Sequence, residues 1–113
     1  MCTQPQLHKI LSRIYCFSVE NFSDSLDAVI LYGSYARGDY DDDSDIDVMV
    51  RVKMTKQELC RYRKAFSHLG SDLGLEHGVV VSIHLQDFDT FEHYRRHLPF
   101  YRNVDREGVM ISA

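Results

Sequence analysis

The 113-residue sequence predicts a small α/β (α+β) domain in which helices flank a mixed β-sheet. Three short apolar runs with strand character, at residues 27–32, 46–53 and 79–86, alternate with segments of helical periodicity. The length leaves room for one compact domain with a modest core, and we expect it to span residues 1–113. No apolar run approaches the roughly 20 residues that cross a bilayer, so we expect no membrane partner.

The first half of the chain is predicted to fold as helix, strand, short helix and strand. Apolar residues recur at helical spacing and predict a first helix over about residues 4–20; they are Leu7, Ile10, Leu11, Ile14 and Phe17. Residues 21–24 interrupt this helix before the first strand. A short helix is expected after Ser34, and a loop at residues 39–44 leads into the second strand.

The second half is predicted to open with a long capped helix. Thr55 is a candidate N-cap, and Glu58 three residues later completes a capping-box pattern. The helix buries one stripe, composed of Leu59, Tyr62, Phe66, Leu69 and Leu73, and ends at residues 75–78. The third strand follows, and we expect Glu76 and Asp87 to flank it from outside. Helices at 87–97 and 99–107 and a final short strand at 109–111 complete the prediction.

One segment between the first two strands has the composition of a phosphate and metal site. Gly33 and Ser34 follow the first strand directly, where a small-residue turn into a helix leaves backbone N–H groups free to hold phosphate. Asp45 and Asp47 begin the second strand, and carboxylates at i and i+2 on a strand share one face. Such a pair can hold one or two hard divalent cations. The segment therefore indicates phosphoryl or nucleotidyl transfer.

The net charge of −4 comes from this same segment, which holds six carboxylates between residues 39 and 47. An acidic total argues against long nucleic acid as the main ligand, because binding the phosphate backbone requires positive surface. A concentrated acidic pocket fits a metal–nucleotide complex instead. The spacing also resembles a calcium loop, although the Gly and the terminal Glu of an EF-hand are missing.

The pattern Gly-Ser-x-Ala-Arg-Gly at residues 33–38, followed by Ser-Asp-x-Asp-x-x-Val at 44–50, resembles the signature of the DNA polymerase β-like nucleotidyltransferase superfamily. Its smallest branch, the minimal nucleotidyltransferases, matches best, and the order of elements agrees over most of the chain. The resemblance implies a polymerase β-like fold and a Mg²⁺-dependent transfer of a nucleoside monophosphate, with AMP from ATP favoured. The acceptor would be a hydroxyl group on a small molecule or on a partner protein. The resemblance also implies that Asp45 and Asp47 are catalytic and hold up to two Mg²⁺ ions, and that the nucleotide is bound by Gly33, Ser34, Arg37 and Ser44.

Each of these residues also has a structural alternative. Gly33 could be an ordinary turn glycine, Ser34 could cap the helix, and Asp45 and Asp47 could be carboxylates at the edge of the strand. Arg37 could stabilise phosphate charge or could be a solvated helix residue. Ser44 is expected to brace the loop ahead of the carboxylates, and Gly38 is expected to end the short helix.

The sequence departs from the superfamily on the third strand. Enzymes of the superfamily add a third carboxylate there, which binds the catalytic metal and helps deprotonate the acceptor. The strand at 79–85 has no Asp or Glu, and Ser82 stands where the third carboxylate is expected. His84 shares a face with Ser82 and could act as a general base, or could be a partly buried histidine without a role in the chemistry.

Three functions remain open. The chain could be an enzyme, a weakened module that binds Mg–NTP, or an antitoxin-like subunit, since minimal nucleotidyltransferases often pair with a small helical HEPN-type partner protein. The three cysteines, Cys2, Cys16 and Cys60, are scattered and odd in number, which favours free thiols and a cytoplasmic location. The N-terminus does not resemble a signal peptide.

Overall fold

The computed structural model describes residues 2–112. Its elements are, in chain order, α1 (Gln4–Phe22), β1 (Leu26–Tyr32), α2 (Ser34–Arg37), β2 (Ile46–Val52), α3 (Lys56–Leu59), α4 (Arg63–His77), β3 (Val81–Asp87), α5 (Phe88–Tyr94), α6 (Pro99–Glu107) and β4 (Val109–Met110), with a 3₁₀ turn at Ser23–Ser25. The predicted α/β class and order of elements are confirmed. Within residues 2–112, no helix is both long and apolar enough to span a membrane.

The four strands form one mixed sheet in the order β3-β2-β1-β4. β1 runs antiparallel to both β2 and β4, whereas β2 and β3 are parallel. A parallel pair requires a crossover connection, and α3 and α4 provide it. The parallel register places the beginnings of β2 and β3 side by side, which is where Asp47 and Ser82 lie.

Helices cover both faces of the sheet. One face packs against α1 and α4 and forms the larger core, in which Ile10, Ile14, Val48, Val50 and Phe66 are almost completely buried. The other face packs against α5 and α6 through a smaller cluster composed of Ala28, Ile30, Met49, Phe91 and Val104. β1 and β2 are therefore buried on both sides, which holds their ends in fixed positions.

The helix predicted to begin at Thr55 is in fact two helices. The capping box of Thr55 and Glu58 is present as predicted. However, α3 ends at Leu59, because the N–H groups of Arg61 and Tyr62 bond three residues back and interrupt the α-helical pattern. The turn directs Tyr62 onto the ring of Phe22, with ring centroids 4.7 Å apart. This contact joins residues that are far apart in the sequence, so helical periodicity could not predict it.

The third strand begins and ends later than predicted. Gly78 adopts a left-handed conformation at the end of α4, and the N–H groups of Gly78 and Val79 bond back to Gly74. These residues cap the helix instead of opening the strand. At the other end, Asp87 was expected outside the strand but is its last residue, and its side chain caps α5 by accepting the N–H of Thr90.

The region after β3 contains two short helices. The predicted helix at 87–97 ends at Tyr94, where a turn leads to Pro99 and α6. The final strand is present as Val109–Met110, at the open edge of the sheet beside β1.

Candidate active site

Three side chains from adjacent strands meet on one face of the sheet, which we call the site face. Tyr32 on β1 is paired in register with Asp47 on β2, and Asp47 is paired with Ser82 on β3. Side chains paired in register on neighbouring strands point to the same side of a sheet. Ile30 and Met49, two residues further along β1 and β2, belong to the core cluster beneath α5 and α6. The site face is therefore the face that these two helices partly cover.

Gly33 lies against the carboxylate of Asp47. Its backbone has φ 77° and ψ −156°, a conformation that essentially only glycine adopts. A Cβ atom at this position would lie 2.6 Å from Oδ2 of Asp47. Glycine is thus required both by the turn that joins β1 to α2 and by the carboxylate above it.

Ser34 is the first residue of α2, so its N–H points away from the helix without a partner inside it. The Gly33 carbonyl accepts the N–H groups of Ala36 and Arg37, which fixes the turn. Gly38 ends α2 in a left-handed conformation, as predicted. This arrangement places Ser34 and the first N–H groups of α2 directly after the turn at Gly33, which lies against Asp47.

Asp45 and Asp47 form a strained pair of like charges. Asp45 is exposed immediately before β2, whereas Asp47 is half-buried. Burial raises the pKa of Asp47, the negative charge of Asp45 raises it further, and the positive charge of Arg37 lowers it. A divalent cation would remove the cause of the repulsion and offset the desolvation.

Asp45 and Asp47 could supply only part of the coordination shell of a metal ion. Among residues 2–112 there is no group of three or more His, Cys, Asp or Glu side chains that could hold a metal ion. Two carboxylates are nevertheless sufficient for Mg²⁺, which is usually bound by one or two carboxylates together with waters and substrate phosphates. Asp45 and Asp47 therefore fit a Mg²⁺ ion that arrives with a nucleotide.

Arg37 has acidic partners on two elements. Its Nε lies 3.2 Å from Asp39, and its Nη1 lies 3.4 Å from Glu107 on α6. These contacts raise the pKa of Arg37, with the hydrogen bond to Asp39 as the largest cause. The side chain remains 44% exposed. It is close enough to Asp47 to affect the pKa of that carboxyl, so the predicted contact with phosphate requires Arg37 to exchange partners.

Ser44 shapes the loop that delivers Asp45. Its hydroxyl accepts the N–H of Asp41 at 3.0 Å and donates to the Asp41 carboxylate at 3.2 Å. The rings of Tyr35 and Tyr40 stack 4.2 Å apart and hold the loop against α2. Ser44 is therefore placed for the bracing role that was expected of it, and its contact with nucleotide stays a prediction.

Ser82 is exposed and occupies the site-face position beside Asp47. That a third carboxylate would occupy the position of Ser82 in related enzymes stays a prediction. His84, two residues further along, lies on the same face, and Asp87 caps α5 at the far end of the strand.

Two aromatic residues at the site were missed by the sequence analysis. Burial and the charge of Asp47 raise the pKa of Tyr32 to about 12, so its hydroxyl stays protonated and can donate a hydrogen bond beside the carboxylate. Phe100, at the start of α6, contacts the rings of both Tyr32 and His84 edge-on. Their roles depend on strand register and on how α6 folds back, which the residue pattern does not give.

A groove of about 700 Å³ opens beside Asp45 and runs between α4 and the start of β3. α4 lies close to the strand there, since a Cβ on Gly70 would be 2.9 Å from the carbonyl oxygen of Val81. Leu75 and Val80 expose large apolar side chains around this groove, 86% and 58% accessible respectively. The groove includes Asp45 but not Asp47 and lies on the α4 side of the sheet, so it offers an apolar surface next to Asp45 at the β3 edge.

The model of the nucleotidyltransferase domain family matches residues 12–107. This chain belongs to the nucleotidyltransferase domain family. The resemblance inferred from the motif is therefore confirmed at the level of the family. The functional roles of Gly33, Ser34, Asp45 and Asp47 stay predictions.

Two curated relatives come from Methanocaldococcus jannaschii. "Putative protein adenylyltransferase MJ0141" is 41% identical over 59 residues, which are 52% of this chain and 58% of that protein. The match thus spans little more than half the length of this relative. "Putative protein adenylyltransferase MJ0604" is 34% identical over 86 residues, which are 74% of this chain and 75% of that protein.

Solved structures share the nucleotidyltransferase fold. A crystal structure described as a putative nucleotidyltransferase from Sulfolobus solfataricus superposes with a TM-score of 0.60 at 24% identity, covering 95% of this chain and 80% of that one. A toxin–antitoxin structure with AMP-PNP superposes with a TM-score of 0.53 at 22% identity, covering 88% and 70%. At these identities the similarity supports the fold.

Replacing Gly33 by Ala should destabilise the nucleotidyltransferase domain by about 1–3 kcal/mol, because its backbone conformation excludes side chains. The new methyl group should also displace the Asp47 carboxylate and weaken binding of Mg–AMP-PNP. Gly38→Ala is the matched control, since Gly38 also has positive φ but its Cβ would meet nothing within 4 Å. It should lose about 1 kcal/mol and keep nucleotide affinity. Urea unfolding and calorimetry measure both quantities, and equal nucleotide binding by the two variants would contradict the contact.

Replacing Asp47 by Asn should stabilise the metal-free protein at neutral pH. A carboxyl whose pKa is raised on folding favours the folded state below its ordinary pKa, and this contribution is lost as pH rises through the raised pKa. The gain from Asn should therefore be present at pH 7 and vanish near pH 3, as measured by urea unfolding in EDTA. Asp43→Asn, which removes an exposed charge from the same loop, is the control. A destabilised Asp47→Asn protein at pH 7 would contradict this electrostatic account.

Proposed function

We propose that this chain is a Mg²⁺-dependent nucleotidyltransferase that moves AMP from ATP onto a hydroxyl group of a partner protein. The observation that carries the proposal is the contact between Asp47 and Gly33, which joins a paired-carboxylate cation site to a phosphate-binding turn. The two curated relatives are named as protein adenylyltransferases, which favours ATP as donor and a protein as acceptor.

Each residue of the motif has a part in the proposed reaction. The Ser34 hydroxyl and the first N–H groups of α2 would bind phosphate oxygens of the donor. Asp45 and Asp47 would hold Mg²⁺, which when bound neutralises phosphate charge and lowers the pKa of the attacking hydroxyl. Arg37, released from Asp39, would add positive charge beside the phosphates. Ser44 would keep the loop folded so that Asp45 stays next to Asp47.

The acceptor would approach from the β3 side of the carboxylates. The exposed apolar side chains of Leu75 and Val80 border the groove beside Asp45 and suit a protein surface better than a small polar molecule. A toxin–antitoxin structure among the neighbours supports a partner protein, and we propose a small helical one of the HEPN type. Free Cys16 and Cys60, both exposed, are compatible with action in the cytoplasm.

A second function is favoured by one observation. Ser82 stands beside Asp47, at the position where a third carboxylate is expected. The chain could therefore be a module that binds Mg–ATP and yet transfers its AMP group slowly. Both functions require binding of Mg–ATP, which calorimetry measures. Product formation separates them, because the module binds nucleotide but gives no product with an acceptor. An antitoxin-like subunit that pairs with a small helical partner protein is a separate alternative.

The transfer reaction can be tested by radiolabelling. The purified chain, ATP labelled at the α-phosphate, Mg²⁺ and the protein encoded by the neighbouring gene should give a labelled partner protein and pyrophosphate. Asp45→Asn and Asp47→Asn should each lower the rate by at least about 100-fold, since losing a metal ligand costs several kcal/mol of barrier stabilisation. Asp43→Asn, in the same acidic loop, should retain the rate. Undiminished transfer by both ligand variants would refute the assignment of the site.

A further inference from the structure

A chain of hydrogen bonds runs along β3 away from the proposed metal site. Nε2 of His84 lies 2.9 Å from Oε1 of Gln86. Nε2 of Gln86 donates to both the backbone oxygen and Oδ1 of Asp87, each at 3.3 Å. The remaining oxygen of Asp87 accepts the N–H of Thr90 at 2.9 Å. Gln86 and Asp87 are only 4% and 7% exposed, so water competes little for these bonds.

This chain of bonds determines which nitrogen of His84 holds the proton. Two acceptor oxygens of Asp87 face one end of the Gln86 amide, so that end is the NH₂ group and the opposite end is the carbonyl oxygen. An oxygen cannot donate, so Nε2 of His84 must be the donor in the contact with Gln86. In the neutral imidazole, Nδ1 is then the nitrogen with the free lone pair.

His84 lies near the gap left by the missing carboxylate. It is two residues along β3 from Ser82 and on the same face, about 7 Å away at the usual strand rise. Its cross-strand neighbour is Met49, two residues after Asp47. The ring is half-buried and touches Phe100 edge-on, which restricts its rotation. β3 presents three side chains on the site face, those of Ser82, His84 and Gln86. Of these three, only His84 is ionisable.

We propose that His84, with its proton held on Nε2 by Gln86, accepts the proton of the acceptor hydroxyl at Nδ1. This inference rests on the proposed function. The acceptor oxygen forms a bond to the α-phosphorus of ATP as the bond from that phosphorus to pyrophosphate breaks. The hydroxyl proton moves to Nδ1 and is later released to water. Gln86 is a positioning residue, because it acts on the reaction through His84.

The tautomer is measured first, without substrate. Long-range ¹H–¹⁵N NMR of the full chain at about pH 8.5, where an imidazole is neutral, distinguishes the protonated ring nitrogen from the one with a lone pair. We expect Nε2 of His84 to be protonated, with His84→Gln used to assign its signals. A proton on Nδ1 would overturn the proposal whether or not the chain has activity.

The role in transfer is then measured with the neighbouring gene's product as acceptor. His84→Gln, which can still donate to Gln86, should lower kcat by roughly 100- to 10,000-fold with little change in the KM for ATP. His84→Ala should recover activity when imidazole is added. Ser82→Asp combined with His84→Gln should recover part of the lost rate, because a carboxylate then stands beside Asp47.

The outcomes separate this inference from the proposed function. Transfer by His84→Gln at the rate of the unaltered protein would overturn the role of His84 and leave the proposed function standing. Absence of transfer by the unaltered protein would overturn the proposed function itself and the role of His84 with it. A fall in kcat that neither imidazole nor Ser82→Asp reverses would show that His84 supports the structure only.

Discussion

The carboxylate of Asp47 rests on the backbone of Gly33, at the point where β1 ends and α2 begins. This contact links the turn before α2 to the start of β2. The Asp47 carboxylate occupies this position only because residue 33 has no side chain. The sheet fixes the contact through register, since Tyr32 and Asp47 are direct partners on β1 and β2. β1 and β2 bury side chains on both faces, so a shift of register would disrupt both cores.

The same contact has an electrostatic consequence. It holds Asp47 half-buried next to Asp45, and the raised pKa of Asp47 is a measure of that cost. A protein tolerates such a cost where a ligand of opposite charge removes it. This raised pKa is the reason why we propose that a divalent cation binds at the start of β2. The stacked rings of Tyr35 and Tyr40 hold the loop between α2 and β2 against α2.

The elements and the motif could be predicted from the sequence because they depend on local chemistry. Helical periodicity, the capping box of Thr55 and the placement of Gly33, Asp45 and Asp47 all involve residues that are close in the chain. The break after Leu59 and the late start of β3 depend on Tyr62 meeting Phe22 and on Gly78 capping α4. The place of Tyr32 and Phe100 at the site depends on tertiary packing, so periodicity could not indicate it. His84 and Gln86 are only two residues apart, but their bond depends on side-chain rotamers that periodicity does not give.

A crystal structure with Mg²⁺ and a non-hydrolysable ATP analogue tests the account most directly. We expect Mg²⁺ bound by Asp45 and Asp47, phosphate oxygens bonded to Ser34 and the first N–H groups of α2, and Gly33 in van der Waals contact with the nucleotide–metal complex. A nucleotide bound elsewhere, or a cation that bypasses both carboxylates, would contradict the central claim that the contact between Gly33 and Asp47 builds the donor site.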